Sequence, residues 1–255
     1  MPKRTGANSK DTVEPSILRK LNGGVLETAT LSEALAVDFS CLMANVFPEL
    51  ENEAITRMKK AQGKGITKRM ELAATILSEH LGKKVFNILS QHSSDTVRGW
   101  AAFSIALDAT LMLERKLDRV RQLADDPHFG VREWAWLALR PAISQDINIS
   151  VKLFVPWAED VSENIRRFSI EATRPRGVWS KHIQELKESP RLGEPLLNRV
   201  MEDSSRYVQN SCANWLNDAS KSDPGWVVSY CEKWRKKKES EAVIYITRRA
   251  LRNVA

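Results

Sequence analysis

The chain has 255 residues, of which 42% are hydrophobic and 28% are charged, a composition typical of a soluble globular protein. Its 39 Lys and Arg residues outnumber 32 Asp and Glu residues, and the net charge of +7 favours an anionic partner such as nucleic acid. Three cysteines without a CxxC pair argue against a disulfide framework or a zinc site, and no apolar run is long enough for a membrane span.

The N-terminal residues 1–13 are small, polar and basic, and we predict a disordered tail there. Beyond them, apolar residues recur three and four apart, as in AVDFSCLMANVF (36–47) and KRMELAATILSEHL (68–81), which is the helical period. Glycines and prolines fall mainly between such segments. The sequence therefore predicts an all-α fold in which residues 14–255 form a single domain.

Four later segments share one frame: TVRGWAAFSIAL (96–107), GVREWAWLALRP (130–141), NIRRFSIEATRP (164–175) and YVQNSCANWLND (207–218). Their β-branched anchors, Val97, Val131, Ile165 and Val208, lie 34, 34 and 43 residues apart, and an aspartate stands five positions before each of the last three. We interpret ITRRALRN (246–253) as a fifth copy. This period is typical of HEAT-like helical pairs, which stack because one pair cannot bury its apolar face. We predict a curved α-solenoid (an αα-superhelix) whose second helices line the concave side.

Basic side chains recur at the starts of these second helices and after the third anchor. Two interpretations stay open for the arginine that follows each anchor: it pairs with the aspartate of a neighbouring turn, or it points into the groove and binds phosphate. The residues predicted to bind DNA are Arg132, Arg166, Arg167, Arg174, Arg176, Lys181, Arg206, Lys221, Arg248 and Arg249.

Eight tryptophans are many for this length. Trp100 and Trp134 stand three residues after their anchors, and we predict that both belong to the core. Trp136, Trp179 and Trp215 each lie within a few residues of an arginine or an acid. Because an exposed indole beside a charged group stacks well on bases or cationic rings, these three are predicted to contact a base or sugar.

Two motifs, FSIEATRPRGVW (168–179) and CANWLNDASKSDPGWV (212–227), resemble the AlkC branch of the HEAT-like-repeat alkylpurine DNA glycosylases. The resemblance extends over roughly residues 25–253 and implies an enzyme that binds duplex DNA in a concave basic groove. Such an enzyme removes purines alkylated at N3 or N7, for example 3-methyladenine, without a metal or an organic cofactor. The resemblance also puts Glu171, Asp218 and Trp179 in the active-site region, and Arg174 and Arg176 near the DNA backbone.

One position departs from the family pattern, which has an acid four residues before an earlier Arg–Pro pair. Here that pair is Arg140–Pro141, and the position holds Trp136. The nearest acid is Glu133, about one helical turn away. We therefore expect Glu133 to substitute for the missing acid, or catalysis to be altered or lost.

The chemistry explains why carboxylates are the candidate catalytic groups. Alkylation makes the purine a cationic leaving group, and breaking its bond to deoxyribose builds oxocarbenium character that a carboxylate stabilises. The predicted catalytic residues are Glu171, Asp218 and Glu133. A structural interpretation stays open, in which Glu171 is a buried partner of Arg167 or Arg174 and Asp218 caps a turn.

Other enzyme classes lack support, because the sequence contains no HExxH, GxGxxG or GxxxxGK motif. Two alternatives to a glycosylase remain: a non-catalytic relative that recognises DNA structure, and a HEAT scaffold that binds an acidic protein. We expect a cytoplasmic monomer that binds duplex DNA containing alkylated bases and uses no nucleotide cofactor.

Overall fold

The computed structural model describes residues 4–254, which form α-helices and short 3₁₀ helices, with no strand among them. The α-helices are α1 (Pro15–Asn22), α2 (Leu31–Ala36), α3 (Phe39–Val46), α4 (Asn52–Lys60), α5 (Ile66–Leu81), α6 (Val85–Ser90), α7 (Asp95–Leu107), α8 (Leu113–Ala124), α9 (Phe129–Ile143), α10 (Ile147–Ala158), α11 (Glu163–Ala172), α12 (Gln184–Glu188), α13 (Glu194–Val200), α14 (Arg206–Ser220), α15 (Pro224–Lys237) and α16 (Glu241–Ala250). The 3₁₀ helices are Lys10–Thr12, Gly82–Lys84 and Pro190–Gly193. The predicted all-α fold is confirmed.

The first three residues of the predicted N-terminal tail lie outside the described residues. From Arg4 onward the segment contacts α2. Arg4 forms a bidentate ion pair with Glu33, at 2.6 Å for each nitrogen–oxygen pair. The hydroxyl of Thr30 also donates to the carbonyl of Ala7 at 2.7 Å. These contacts tie residues 4–7 to the helix.

Two compact units divide the chain, one of residues Met1–Met112 and Asp118–Ala138, the other of Leu113–Leu117 and Leu139–Ala255. In the first unit α7 packs against α5 and α6. In the second unit α14 packs against α11, α15 and α16, and α10 packs against α11 and α13. The single domain predicted over residues 14–255 stays a prediction.

The anchors of the four repeats belong to the core, on helices α7, α9, α11 and α14. Their side chains are at most 1% exposed: Val97, Val131, Ile165 and Val208. Trp100 and Trp134 are 0% and 3% exposed, so the prediction that both are core residues is confirmed.

The residue after each anchor makes the same contact in every repeat. Its side chain donates a hydrogen bond to the backbone carbonyl six residues earlier, in the turn that precedes the helix. The pairs are Arg98 with His92, Arg132 with Asp126, Arg166 with Asp160, and Gln209 with Asp203. A carbonyl that this turn leaves unpaired is thereby satisfied.

Arg98 and Arg166 also reach the aspartate of the next repeat. Nε of Arg98 lies 2.8 Å from a carboxylate oxygen of Asp126, and Nε of Arg166 lies 2.6 Å from one of Asp203. Pairing with a neighbouring turn is therefore the correct interpretation at these positions. The nitrogens of Arg166 donate to Asp203 and to two backbone carbonyls, and its predicted contact with DNA stays a prediction.

Candidate active site

Arg174 lies between two acids from different helices of the second unit. Its Nε and Nη2 lie 2.9 and 2.7 Å from Oδ2 of Asp218, and its Nη1 lies 3.2 Å from Oε2 of Glu171. Glu171 is in the last turn of α11, and Asp218 is in the last turn of α14. Because these two helices pack together, acids 47 residues apart in the sequence meet at one guanidinium.

Both carboxylates are buried, each residue being 4% exposed, and each of their oxygens has a donor. Oε1 of Glu171 accepts from the hydroxyl of Ser211 at 2.7 Å, and Oδ1 of Asp218 accepts from Nζ of Lys221 at 3.1 Å. Nη2 of Arg167 lies 3.6 Å from Oε1 of Glu171. The contacts that the structural interpretation requires of Glu171, with Arg167 and Arg174, are thus present.

The charge on Arg174 is stable in this environment. Burial opposes the charge, but the adjacent carboxylates of Glu171 and Asp218 outweigh it and raise the pKa of Arg174. The group therefore stays a guanidinium at neutral pH. Two buried carboxylates are balanced by Arg174 inside the cluster and by Lys221 at its edge.

The segment after α11 carries further predicted site residues. Nε of Arg176 lies 3.3 Å from the backbone oxygen of Asp218, and its Nη2 lies 2.9 Å from the hydroxyl of Ser222. Trp179 is 37% exposed, and the side chain of Lys181 is exposed. This segment therefore places one cation, Arg176, against the backbone of Asp218, and it also carries an exposed indole and an exposed ammonium.

A second set of cations lies on α11, α14 and α16. The guanidinium carbon of Arg206 is 3.6 Å from the ring centre of Tyr245, and that of Arg249 is 5.5 Å from the same ring. Arg167 lies 4.3 Å from the ring centre of Tyr207. Arg206 and Arg248 are exposed, whereas Arg167 and Arg249 are half-buried. Cation–π contacts hold the guanidinium groups of Arg167, Arg206 and Arg249 in place at little cost to their charge.

Three predicted site residues lie in the first unit, on α9. Nε1 of Trp136 donates to Oε2 of Glu133 at 3.0 Å, and both side chains are half-buried. Arg132 donates to the carbonyls of the preceding turn, Asp126 and Pro127. The carboxylate of Glu133 is thus held by the very tryptophan that occupies the acidic position of the family pattern.

The predicted stacking role of Trp215 is wrong. This residue is 1% exposed, its Nε1 donates to the carbonyl of Thr173 at 2.9 Å, and its ring packs edge-on against Trp226. A ring that is enclosed on both faces has no surface left for a base. Trp215 instead supports the chain just before Arg174.

Two contributors to this region were missed by the sequence analysis. Ser211 donates to Glu171 and lies seven residues before Asp218, two turns away on the same face of α14. This spacing of seven residues could have predicted from the sequence that Ser211 lies on the same face as Asp218. Arg140 is 2% exposed and donates to the carbonyls of Ala172, Arg174 and Lys181. The sequence feature that could have identified Arg140 is its repeat position, nine residues after the anchor, which Arg174 shares.

Within residues 4–254, no three His, Cys, Asp or Glu side chains are grouped in a way that would hold a metal ion. No helix in the same range is both long and apolar enough to cross a bilayer.

No protein-family model matches the chain. A curated protein, the "Uncharacterized protein YhaZ" of Bacillus subtilis (strain 168), is 37% identical over 97 residues, which are 38% of this chain and 27% of YhaZ. The structure is similar to the Pseudomonas fluorescens alkylpurine DNA glycosylase AlkC bound to DNA containing an abasic site analog, with a TM-score of 0.67 and 23% identity. That likeness covers 93% of this chain and 64% of the AlkC chain, so the chain spans less than two thirds of AlkC.

A second solved structure, AlkD2 from Streptococcus mutans, has a TM-score of 0.58 and 19% identity, covering 85% of this chain and 97% of AlkD2. The two matches agree with the resemblance that the motifs of residues 168–179 and 212–227 predict. The chain therefore has the helical-repeat fold of the AlkC and AlkD2 proteins.

Proposed function

We propose that this chain binds duplex DNA and hydrolyses the N-glycosidic bond of purines alkylated at N3 or N7, such as 3-methyladenine. The observation that carries the proposal is the pair of buried carboxylates, Glu171 and Asp218, held by Arg174. Trp179, five residues after Arg174 in the chain, is exposed. The fold of AlkC, whose solved structure contains DNA with an abasic site analog, supports the same reaction class.

The proposed chemistry needs one carboxylate oxygen close to the sugar. An alkylated purine leaves as a neutral base, and the deoxyribose develops positive charge that a fixed carboxylate stabilises. Water then adds to the sugar carbon and loses a proton to the solvent, so the products are the free base, an abasic site and that proton. No metal or cofactor is needed to balance this reaction.

Asp218 is the better candidate for this carboxylate. Its Oδ1 is held by Lys221, whose side chain is 44% exposed, whereas both oxygens of Glu171 are held inside the protein by Ser211 and Arg174. A DNA phosphate can draw the exposed ammonium away, and a cationic sugar can then take its place. In this proposal Glu171 keeps Arg174 oriented toward Asp218.

The exposed cations supply the expected contacts to the DNA backbone. Lys181, Arg206 and Arg248 are exposed, and the structure pairs none of their side chains with a carboxylate of the described residues. Ionic contacts of this kind position a duplex without reading its sequence. Together with Trp179 they would hold an alkylated nucleotide near the buried acids.

The test is to incubate the protein with duplex DNA methylated by a simple alkylating agent and to separate the released bases by chromatography. Release of 3-methyladenine or 7-methylguanine above the spontaneous rate is the expected result. Tight binding to the methylated duplex without release of any base would reject the glycosylase proposal.

One observation favours a second function, the binding of DNA structure without catalysis. Trp136 occupies the family's acidic position, and its indole holds the carboxylate of Glu133. If Glu133 is needed for chemistry, this chain retains only the binding function. Replacement of Trp136 by Glu then restores base release, whereas the parent protein releases nothing.

A further inference from the structure

Arg140 is the largest charged side chain that is almost fully enclosed, with 2% exposure. It donates to three backbone carbonyls, at 2.9 Å to Ala172, 2.5 Å to Arg174 and 3.3 Å to Lys181. Within the described residues no carboxylate accepts a hydrogen bond from it. An arginine with only carbonyl partners serves the backbone and does not form an ion pair.

The carbonyls it contacts explain why the charge is tolerated. Ala172 is the last residue of α11, and the final carbonyls of a helix lack partners and carry negative partial charge. Burial lowers the pKa of Arg140 to about 10, so the side chain is still protonated at neutral pH. The guanidinium therefore acts as a charged cap at the end of α11.

Two of these carbonyls, those of Arg174 and Lys181, lie at the ends of a segment of the candidate site that forms no helix. The segment 174–181 carries Arg174, which joins the two acids, and the exposed Trp179. A backbone hydrogen bond from Ile183 to Pro175 closes this segment, at 3.0 Å. Arg140 adds a fixed point at each end, because it holds both the Arg174 and the Lys181 carbonyl.

The repeats show that this is a specialised use of a common position. Arg140, Arg174 and Asn217 each stand nine residues after the anchor of their repeat. Nδ2 of Asn217 donates to the carbonyl of Ala250, the last residue of α16, just as Arg140 donates to the last residue of α11. Arg140 and Asn217 thus cap the corresponding helix of the next repeat, whereas Arg174 binds carboxylates and the first repeat has Ala106 at this position.

We propose that Arg140 is a positioning residue: it fixes the segment 174–181 so that Arg174 and Trp179 stay at the candidate site, and it does not itself touch DNA. The inference rests on the proposed function where it is tested by the rate of base release. A second measurement, the environment of Trp179, tests it without any enzymatic activity.

The test compares Arg140→Lys with the parent protein. A lysine keeps the charge, but one ammonium cannot reach three carbonyls in the fork geometry of a guanidinium. Two quantities are measured: the single-turnover release of methylated bases, and the ¹⁹F resonance of Trp179 in protein labelled with 5-fluorotryptophan, assigned with Trp179→Phe. We expect a shifted or broadened Trp179 resonance and a release rate lowered about tenfold or more, because misplaced groups lose their catalytic advantage.

Gln209→Ala is the matched control, since it removes another buried side-chain cap of the same unit, the bond from Gln209 to the Asp203 carbonyl. We expect it to lower stability but to leave the Trp179 resonance and the release rate as in the parent. If Arg140→Lys does not fold, Arg140→Gln, which keeps one donor for Ala172, takes its place.

An unchanged Trp179 resonance in both Arg140 variants overturns the inference, as does an equal loss of rate in Gln209→Ala. If the parent releases no base, the proposed function fails, but the Trp179 resonance still decides the role of Arg140. The two failures are therefore distinguishable.

Discussion

At the scale of single residues, protein stability alone does not explain the buried Glu171–Arg174–Asp218 cluster. Removing charges from water costs several kcal/mol per ion, and a buried ion pair often stabilises a protein no better than apolar side chains of the same size. Both acids are 4% exposed, yet each retains a polar or charged partner on every oxygen. A buried network of this kind serves either a structural role or a functional site, and amide variants of the two acids separate these roles.

The two acids are expected to differ when each is replaced by its amide. Asp218→Asn removes the proposed stabilising charge, so base release should slow by at least about tenfold, the effect of ~1.4 kcal/mol in the transition state. Glu171→Gln should act mainly through the orientation of Arg174, with a smaller loss. Single-turnover release of methylated bases measures both rates.

Duplex binding provides the control for these amide variants. In the proposed complex these acids lie close to DNA phosphates, so removing one negative charge should leave the affinity for the duplex unchanged or higher. Glu185→Gln, at an exposed position of α12, makes the same change in net charge outside the cluster and should keep the parent rate. Parent rates in both Asp218→Asn and Glu171→Gln would contradict the carboxylate mechanism.

The three cysteines are expected to separate by reactivity. Cys41 is exposed, whereas Cys212 and Cys231 are buried. Burial raises the pKa of Cys231 to about 12, and it also raises the pKa of Cys212. Because the thiolate is the reactive form, one thiol per chain should react quickly with Ellman's reagent at pH 8, and the other two only after unfolding.

The buried thiols should also make the free energy of unfolding depend on pH in the alkaline range. A thiol with a raised folded-state pKa contributes stability that is complete below its ordinary value of 9.0 and is lost as pH rises toward the folded value of about 12. The free energy of unfolding should therefore fall less steeply above pH 9 in Cys231→Ala than in the parent. Urea denaturation at pH 8, 9 and 10 measures it, and equal slopes would contradict the assignment.

At the scale of helices, the pairing of Arg166 with Asp203 connects two successive repeats. Asp203 also accepts the backbone N–H of Ser205 at 2.8 Å, which shapes the turn before α14. The same carboxylate thus fixes a turn and holds the arginine of the previous repeat. Asp126 combines both contacts in the first unit, with Arg98 and with the N–H of His128.

A double-mutant cycle tests this pairing. Arg166→Ala and Asp203→Ala should each lower the free energy of unfolding, and the double variant should lose less than their sum, with a coupling of about 1–3 kcal/mol. The exposed pair Arg199 and Glu159, with side chains 32% and 58% exposed, is the control, and its coupling should stay below about 1 kcal/mol. Additive effects at Arg166 and Asp203 would show that the repeats are not coupled there.

Helix periodicity accounts for the parts of the structure that were predictable. The repeat frame predicts that all four anchors are buried, and the helical period brings Ser211 and Asp218 to one face of α14. The same period explains the error at Trp215, which stands seven residues after the buried Val208 and three after the buried Cys212. Trp215 therefore lies on the apolar face of α14. The prediction was wrong because it relied on the polar residues close to Trp215 in the sequence.

Partners across helices were not predictable in the same way. Nothing in local sequence says that Arg140 caps α11 while Arg174, at the equivalent position, binds two acids. That difference depends on the chain after Thr173, where the helix ends and the arginine side chain is free to turn toward α14. Tertiary packing decides it, and packing is not encoded in a short motif.

At the scale of the whole molecule, the cations behind the net charge of +7 fall into two groups, those paired with carboxylates and those exposed to solvent. Arg98, Arg166 and Arg174 are paired with carboxylates, and so contribute little to the field outside the protein. Exposed lysines and arginines carry the remaining excess. Affinity for a duplex should therefore depend on these exposed groups and not on the buried arginines of the repeats.

The salt dependence of duplex binding tests which exposed cations contact phosphate. The variant Lys181→Gln/Arg248→Gln removes two exposed charges near the candidate site and α16. If both side chains contact phosphate, the slope of log affinity against log salt should become shallower by about 0.9 for each phosphate that is no longer neutralised. Fluorescence anisotropy with a labelled duplex, at several salt concentrations, measures the slope.

The run KWRKKK (233–238) supplies a control of equal charge. Lys233→Gln/Lys236→Gln changes two exposed lysines at the end of α15, so it alters the net charge by the same amount. Because a general field effect depends on total charge, it would weaken binding equally in both double variants. Direct phosphate contacts instead flatten the slope only in Lys181→Gln/Arg248→Gln. Equal slopes in the two variants would mean that the duplex is held by charge alone, and that the cations around Trp179 and α16 form no defined binding surface.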